Sequence, residues 1–348
     1  MIKPQKLQPG DTLAAISLSW GGAHKYPHRY LAGRQQLETT FGVRVVESRY
    51  ALRDPEWLAR NPQARAEDLL EAFANPAIHG IISTIGGDDS IRLLPYIDTT
   101  VITRNPKVFL GYSDTTITHF ACYKAGLVSF YGPAILAGFA ENGGVFPYTA
   151  SSVHRTLFSS EPIGTIHPNT DGWTTEVLDW SNPELQQQRR TLRPSSSWRW
   201  LQGQGTVSGS LLGGCLEVLD WLRGTPYWPE QAAWKDALLF LETSEEAPSP
   251  DYVGRVLRTF AAVGILDQLG AVLFGRPGGT QEPEQHLAYD EILRQVITEE
   301  YGLGNLPIIT NMDFGHTDPM MVLPYGVQAQ LDCDRKEFTI TESAVAER

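Results

Sequence analysis

Three side chains of the kinds used in acyl-transfer chemistry occur next to apolar segments of the sequence. Ser113 and Glu242 come at the ends of such segments, and His316 lies in a loop bounded by Gly315 and Pro319. A serine nucleophile needs an imidazole as general base and a carboxylate that orients the imidazole. The spacing leaves open whether the three side chains meet. Each also has an ordinary structural explanation: a helix cap for Ser113, a polar strand exit for Glu242 and a loop histidine for His316.

The sequence around Ser113 predicts a buried strand, a tight turn and a helix that starts at once. Such a turn exposes the serine at the carboxyl end of the strand and leaves backbone N–H groups free at the helix start. A second apolar strand ends in Gly86-Gly87, where the absence of side chains allows a ligand close to the backbone. The Gly87 and Asp114 amides are therefore candidates for an oxyanion hole, and Gly86 for a substrate contact. A tight strand–helix turn without any ligand explains the two glycines equally well.

Two alternative chemistries use residues of the same segments. Asp313, His316 and Asp318 could ligate a metal ion, although no other histidine or cysteine lies near them in the sequence. His119, one turn after Ser113, is the other candidate for the base. No phosphate-binding glycine pattern is present.

The first ~150 residues alternate between strand-like and helix-like segments, which predicts parallel strands with helices on both faces. A stretch rich in Pro, Ser, Gln and Trp follows, and we expect residues 186–190 within it to be solvated. Residues 214–223 predict a helix near the start of a second α/β unit. The predicted organisation is an N-terminal domain over residues 1–160 that carries the Ser113 turn, a junction over 161–205, and a C-terminal domain over 206–348 that supplies Glu242 and His316.

Composition excludes several classes of protein. Asp and Glu total 40 against 28 Lys and Arg, and a net charge of −12 disfavours binding to nucleic acid. No apolar run is long enough to span a bilayer, so we expect no membrane partner. The three cysteines are far apart and odd in number, which fits a reducing compartment better than a disulfide framework. We therefore expect a cytoplasmic protein.

Taken in order, the motifs resemble those of the serine peptidase family S66, which includes the LD-carboxypeptidases and the microcin C immunity peptidases. The resemblance covers nearly the whole chain. It implies Ser113 as nucleophile, Glu242 as orienting acid, His316 as base and the Gly87 and Asp114 amides as oxyanion hole. The residues that carry it are Ile85-Gly-Gly-Asp-Asp-Ser90, Gly111-Tyr-Ser-Asp114, Tyr131-Gly-Pro133, Leu212-Gly-Gly214, Phe240-Leu-Glu242, Gly275-Arg276 and Gly315-His-Thr-Asp-Pro319.

The resemblance also implies a fold and a mode of assembly. The fold class is α/β, with an N-terminal doubly wound, mostly parallel sheet and a smaller C-terminal α/β domain of swivelling-barrel type. The site would lie between the two domains of a chain that forms a homodimer and uses no metal or cofactor.

Within the family, the chain is more similar to the microcin immunity branch than to the murein enzymes. The junction contains Trp173 and Trp180. The resemblance implies that Trp180 reaches the site, where its indole could stack on a nucleobase. A packed junction anchor explains Trp180 as well. The branch has a basic residue about where Glu246 stands, suited to an acidic aminoacyl group. Because Glu245 and Glu246 would repel such a group, a neutral or basic aminoacyl group is the expected substrate feature here.

The expected activity is cleavage of an amide bond in a peptidyl- or aminoacyl-nucleotide conjugate by a Ser-Glu-His triad. The alternative is LD-carboxypeptidase action, removing a terminal D-alanine from murein tetrapeptide in the cytosol. A more distant alternative is a non-catalytic protein that binds a small ligand in the α/β crevice.

Overall fold

The computed structural model describes the whole chain, Met1–Arg348, as two sheets flanked by helices. The strands are β1 (Thr12–Ile16), β2 (Arg44–Glu47), β3 (Gly80–Ser83), β4 (Val108–Gly111), β5 (Phe130–Tyr131), β6 (Gly164–Ile166), β7 (Arg199–Gln202), β8 (Thr206–Cys215), β9 (Leu238–Glu242), β10 (Ala271–Gly275), β11 (Ile308–Met312), β12 (Leu323–Pro324), β13 (Gln328–Asp332) and β14 (Glu337–Ile340).

The α-helices are α1 (Gly22–Lys25), α2 (Pro27–Phe41), α3 (Pro55–Arg60), α4 (Pro62–Ala74), α5 (Thr99–Arg104), α6 (Thr116–Lys124), α7 (Pro147–Leu157), α8 (Leu216–Leu222), α9 (Pro250–Ala262) and α10 (Leu287–Arg294). Short 3₁₀ helices lie at Ser90–Tyr96, Ser113–Thr115, Pro183–Gln187, Gln231–Trp234, Leu266–Gln268 and Pro283–His286, and a π-helical segment, Gln295–Glu300, continues α10. No helix combines the length and the apolar character that crossing a bilayer requires.

The first sheet has the order β12-β5-β4-β3-β1-β2, and its five N-terminal strands are parallel. Strands β1, β3 and β4 are buried throughout, as parallel strands with helices on both faces must be. The expected N-terminal doubly wound sheet is confirmed. The short strand β12 returns from the C-terminal part of the chain and pairs antiparallel with β5, so the C-terminal part completes the first sheet.

The second sheet has the order β6-β14-β13-β8-β9-β10-β11-β7 and is parallel only from β8 to β11. Its edge strands β6 and β7 are not paired with each other, so the sheet is open and does not close into a barrel. Both edge strands belong to the predicted 161–205 junction or its border. The exact domain boundaries, 1–160, 161–205 and 206–348, stay predictions.

One local expectation that is wrong concerns a helix boundary. The predicted 214–223 helix begins only at Leu216, because Gly214 and Cys215 extend strand β8. A side chain at Gly213 would bring its Cβ to 1.7 Å from the Phe240 carbonyl oxygen, so the glycine permits close pairing with β9.

Residues 186–190 are not a uniformly solvated stretch. Gln186 is buried and donates a hydrogen bond to the Ala140 carbonyl at 3.0 Å. The Arg190 side chain is only 11% exposed and pairs with the carboxylates of Glu141 and Asp318. Two opposite charges compensate the burial of the guanidinium, which composition alone does not predict.

The loop that carries His316 is fixed at its start by a buried ion pair. Arg276 Nη2 lies 2.8 Å from Asp313 Oδ1, and both side chains are 1% exposed. The other Asp313 oxygen accepts hydrogen bonds from Trp198 Nε1 at 2.8 Å and from the Asn169 amide at 3.0 Å. The carboxylate therefore joins strand β10, the junction and the His316 loop.

We expect Asp313→Ala to lower the free energy of unfolding by about 3–5 kcal/mol, because it leaves the Arg276 charge buried without a partner. Urea denaturation followed by circular dichroism measures this change. Glu299→Ala, which removes an exposed carboxylate, is the matched control and should change stability by less than about 0.5 kcal/mol. A loss below about 1 kcal/mol in Asp313→Ala would contradict this role for the pair.

Candidate active site

Ser113 lies at the turn between strand β4 and helix α6, at the carboxyl edge of the first sheet. Its φ of +62° is in the left-handed region, which is uncommon for a residue other than glycine. The hydroxyls of Thr115 and Thr116 hold the turn by donating to the carbonyls of Tyr112 and Ser113 at 2.8 and 2.7 Å. Ser113 makes no side-chain capping bond, so the turn presents its hydroxyl instead of using it in the helix start.

The Gly86-Gly87 turn lies against Ser113. A Cβ at Gly86 would come within 2.8 Å of Ser113 Oγ and 3.4 Å of the Asp114 amide nitrogen. Gly87 has φ +148°, and a Cβ there would lie 2.2 Å from Ser19 Oγ. Neither the Gly87 amide nor the Asp114 amide donates to a protein acceptor. Both positions thus leave a free donor beside the serine turn.

A partly buried ion pair lies next to the glycine turn in the chain. Arg65, which is fully buried, donates to both oxygens of Asp89 at 2.6 and 3.0 Å. The Asp114 carboxylate in turn accepts hydrogen bonds from the Ser90 amide at 2.9 Å and from the Ser90 hydroxyl at 2.8 Å. The two turns therefore share a rigid frame, and the Asp114 side chain has a structural partner while its amide stays free.

Glu242 and His316 form a pair at the carboxyl end of the second sheet. Glu242 is fully buried at the end of β9, and its Oε2 lies 2.7 Å from His316 Nδ1. Tyr131 donates its hydroxyl proton to the other oxygen, Oε1. The same hydroxyl accepts a hydrogen bond from the Ser113 amide at 3.1 Å. Tyr131 thus connects Ser113 to Glu242, a role that sequence reasoning missed although Tyr131-Gly-Pro133 was part of the recognised motif.

The second nitrogen of His316 faces a carboxylate. Nε2 lies 3.2 Å from Glu245 Oε2, and the imidazole packs on the Tyr112 ring at 4.8 Å between centroids. No hydrogen bond joins Ser113 Oγ to the imidazole. Burial by itself lowers the pKa of His316, but the negative charges of Glu242 and Glu245 outweigh it and raise the pKa to about 9.

His119 has no free nitrogen. Nδ1 lies 2.9 Å from Ser129 Oγ and Nε2 lies 2.9 Å from the Gly111 carbonyl oxygen. Burial lowers its pKa to about 3. It is a buried structural histidine behind the serine turn.

The three side chains considered for a metal have other partners. Asp313 pairs with Arg276, Asp318 pairs with Arg190 at 2.7 Å, and His316 pairs with glutamates. No group of three or more His, Cys, Asp or Glu side chains has the arrangement of a metal site. The three side chains do not converge on a common point that could bind a metal ion.

Trp180 and Glu246 lie farther from the serine. Trp180 is partly exposed, with the Arg29 guanidinium 4.2 Å from its ring centroid and the Tyr26 ring in edge contact at 5.7 Å. Tyr26 contacts Trp20, whose amide donates to the Gly86 carbonyl at 3.1 Å. An aromatic row therefore leads from Trp180 to the glycine turn. Glu246 is exposed, and only its backbone amide makes a hydrogen bond, to Ser244 Oγ at 3.2 Å.

Comparison with known proteins agrees with this architecture. Models of the LD-carboxypeptidase N-terminal and C-terminal domains match residues 13–132 and 208–331. The microcin C7 self-immunity protein MccF of Escherichia coli is 28% identical over 343 residues, which cover 97% of this chain and 94% of that one.

Two solved structures extend the comparison. An MccF-like protein from Streptococcus pneumoniae in complex with AMP has a TM-score of 0.85 at 30% identity, covering 96% of this chain and 99% of that one. MccF in complex with glutamyl sulfamoyl guanosine has a TM-score of 0.82 at 27% identity, covering 99% and 100%. Fold and comparisons together define a carboxypeptidase-like hydrolase. The chain belongs to the LD-carboxypeptidase family of serine peptidases, family S66.

We expect Gly86→Ala to slow labelling of Ser113 by a fluorophosphonate about 10²-fold, because the added methyl group displaces the hydroxyl from its position. Mass spectrometry of the labelled protein over time gives the rate. Gly224→Ala is the matched control, since a Cβ there meets no atom within 4 Å. Equal labelling of Gly86→Ala and wild type would show that the close approach of Gly86 does not position Ser113.

Proposed function

We propose that the protein hydrolyses an amide bond with Ser113 as nucleophile, His316 as general base and Glu242 as the acid that orients His316. The observation that carries the proposal is the 2.7 Å contact of the buried Glu242 with His316 Nδ1, beside the left-handed Ser113 turn. A carboxylate on Nδ1 leaves Nε2 as the nitrogen for proton transfer, as a catalytic triad requires. Tyr112, next to Ser113 in the chain, packs on the imidazole at 4.8 Å between ring centroids, so the serine turn and His316 lie beside each other.

In the proposed reaction, His316 Nε2 takes the proton of Ser113 Oγ as Oγ bonds to the carbonyl carbon of the substrate. The carbonyl oxygen becomes an oxyanion, which accepts hydrogen bonds from the Gly87 and Asp114 amides. His316 then protonates the amide nitrogen, the C–N bond breaks and the amine leaves. Water, deprotonated by His316, attacks the acyl-enzyme, and cleavage of the C–O bond returns the proton to Ser113. Amide and water thus become acid and amine.

We propose a peptidyl- or aminoacyl-nucleotide conjugate as substrate, which would give the protein a detoxifying role. The similarity to MccF and to the AMP-bound relative supports a nucleotide moiety. On this chain, Trp180 offers a partly exposed indole for stacking on a nucleobase. Gly86 and Glu246 are proposed contacts of the acyl portion.

The second candidate is LD-carboxypeptidase action on murein tetrapeptide, which releases D-alanine. It is favoured by the family models, both of which describe LD-carboxypeptidase domains. The two reactions would use the same triad and differ in the leaving group. A non-catalytic ligand-binding role is the third candidate, and the Ser113 experiment below separates it from the other two.

We also propose a homodimer in the cytoplasm. All three cysteines are free and buried, which a reducing compartment preserves. Sedimentation of the purified protein reports the oligomeric state directly.

Ser113→Ala should lower kcat for the nucleotide conjugate by roughly 10⁴–10⁶-fold with the fold intact, because the nucleophile is removed. Steady-state kinetics, with circular dichroism as a check of folding, measure this effect. Ser151→Ala, on an exposed face of helix α7, is the matched control and should keep wild-type kinetics. A Ser113→Ala protein with most of the wild-type activity would end the assignment of the nucleophile.

Trp180→Ala should reduce kcat/KM for the nucleotide conjugate by about 5- to 100-fold, the loss of one stacking contact, and leave cleavage of murein tetrapeptide unchanged. Side-by-side assays of both substrates test this selectivity. Trp221→Ala removes another exposed tryptophan and serves as the control. If both substrates lose activity equally in Trp180→Ala, Trp180 is a structural anchor of the junction and the nucleobase assignment is wrong.

A further inference from the structure

The carboxylate of Glu245 makes one charged contact, with Nε2 of His316 at 3.2 Å, although its side chain is 74% exposed. The backbone that carries Glu245 is held in place. Glu217 accepts hydrogen bonds from the Ser244 amide at 3.0 Å and from the Ser244 hydroxyl at 2.6 Å. The Gly278 amide donates to Thr243 Oγ1 at 3.2 Å. A fixed loop therefore directs an otherwise free carboxylate to the nitrogen that the proposed mechanism needs.

Glu245 is a carboxylate near His316 that has no arginine or lysine partner. On its own loop, Asp313 and Asp318 are neutralised by Arg276 and Arg190. No lysine or arginine pairs with Glu245. Four titratable groups face the imidazole from the elements packed against it: Glu242 of β9, Glu245 of the following loop, Glu217 of α8 and Tyr112 of the serine turn. The charged groups around its own loop are Asp313, Asp318, Arg190 and Arg276.

This arrangement conflicts with catalysis as long as nothing else binds. While Nε2 donates a proton to Glu245, it cannot accept one from Ser113 Oγ. A bound cation that pairs with Glu245 would release Nε2 and would supply the opposite charge that the carboxylate gives up when it leaves the imidazole. An anionic group at the same place would be repelled by Glu245 and by Glu246 next to it.

We propose that Glu245 recognises an ammonium group of the substrate acyl portion, and that this ammonium draws Glu245 away from His316 and frees Nε2 for Ser113. The inference rests on the proposed function of Ser113 and His316. The ammonium is either the α-amino group of an aminoacyl substrate, one carbon from the scissile carbonyl, or the side chain of a basic residue. In both cases, the substrate itself releases the base, and substrates with a carboxylate at this position are excluded.

The first experiment measures binding in the Ser113→Ala protein and needs no turnover. Aminoacyl sulfamoyl adenosines are compared in two pairs: norleucyl against N-acetyl-norleucyl, which tests the α-ammonium, and lysyl against norleucyl, which tests the side chain. We expect one pair to show a preference of roughly fivefold in Kd for its member with the additional ammonium, the size of one partly exposed ion pair. Glu245→Gln should abolish this preference, whereas Glu161→Gln, which removes a remote exposed carboxylate, should keep it.

The second readout is the titration of His316, followed by NMR of its ring nitrogens. Removing a negative charge from Nε2 lowers the pKa of an imidazole, so Glu245→Gln should shift the His316 titration to lower pH. The acid limb of kcat/KM against pH should move in the same direction, since deprotonated His316 is the active form. Glu161→Gln should leave both curves in place.

The outcomes separate this inference from the proposed function. Absence of hydrolysis in the wild-type protein, with the ammonium preference and its loss in Glu245→Gln intact, would overturn the catalytic assignment and keep the recognition by Glu245. Suppose that hydrolysis depends on Ser113. The inference about Glu245 would then be overturned if neither pair showed an ammonium preference, or if only Glu246→Gln removed the preference. An unchanged His316 titration in Glu245→Gln would overturn it as well.

Discussion

The buried carboxylate of Glu242 is the interaction on which the site depends. A charge in the protein interior is tolerated only when hydrogen bonds and opposite charges compensate it. Glu242 obtains this compensation from Tyr131 of the first sheet and from His316 of the loop after β11. Its two oxygens are therefore both satisfied only when the two sheets are packed together.

The His316 loop is held at both ends by arginines. Arg276, directly after strand β10, binds Asp313 before the histidine, and Arg190 of the junction binds Asp318 after it. The junction also pairs Thr174 with Asp318 through two backbone hydrogen bonds. The junction is therefore part of the frame of the site, and its edge strand β7 extends the second sheet. These contacts explain how a loop that contains Gly315 and Pro319 holds the His316 imidazole at hydrogen-bond distance from the Glu242 carboxylate.

The acidic loop after β9 brings a further carboxylate, Glu245, to the imidazole of His316. The fold matches that of MccF complexes over nearly the whole chain. The charges that act on His316 come from Glu242, Glu245 and Glu217. Glu245 is among the negative charges that raise the pKa of the imidazole, although its own side chain is largely exposed.

The sequence by itself determined strands β1 to β4 of the first sheet and the position of Ser113, because apolar periodicity and turn chemistry are local properties. It also marked Glu242, at the end of a buried strand, and His316, in the loop that follows another. Only the tertiary structure decided that Tyr131 joins Ser113 to Glu242, that Glu245 reaches Nε2, and that Arg190 is buried. These contacts link residues 18 to 128 positions apart or lie across a loop, and no local pattern specifies a pairing of charges through space. The extension of β8 through Cys215 was missed for the same reason: pairing with β9 overrode the local preference for a helix.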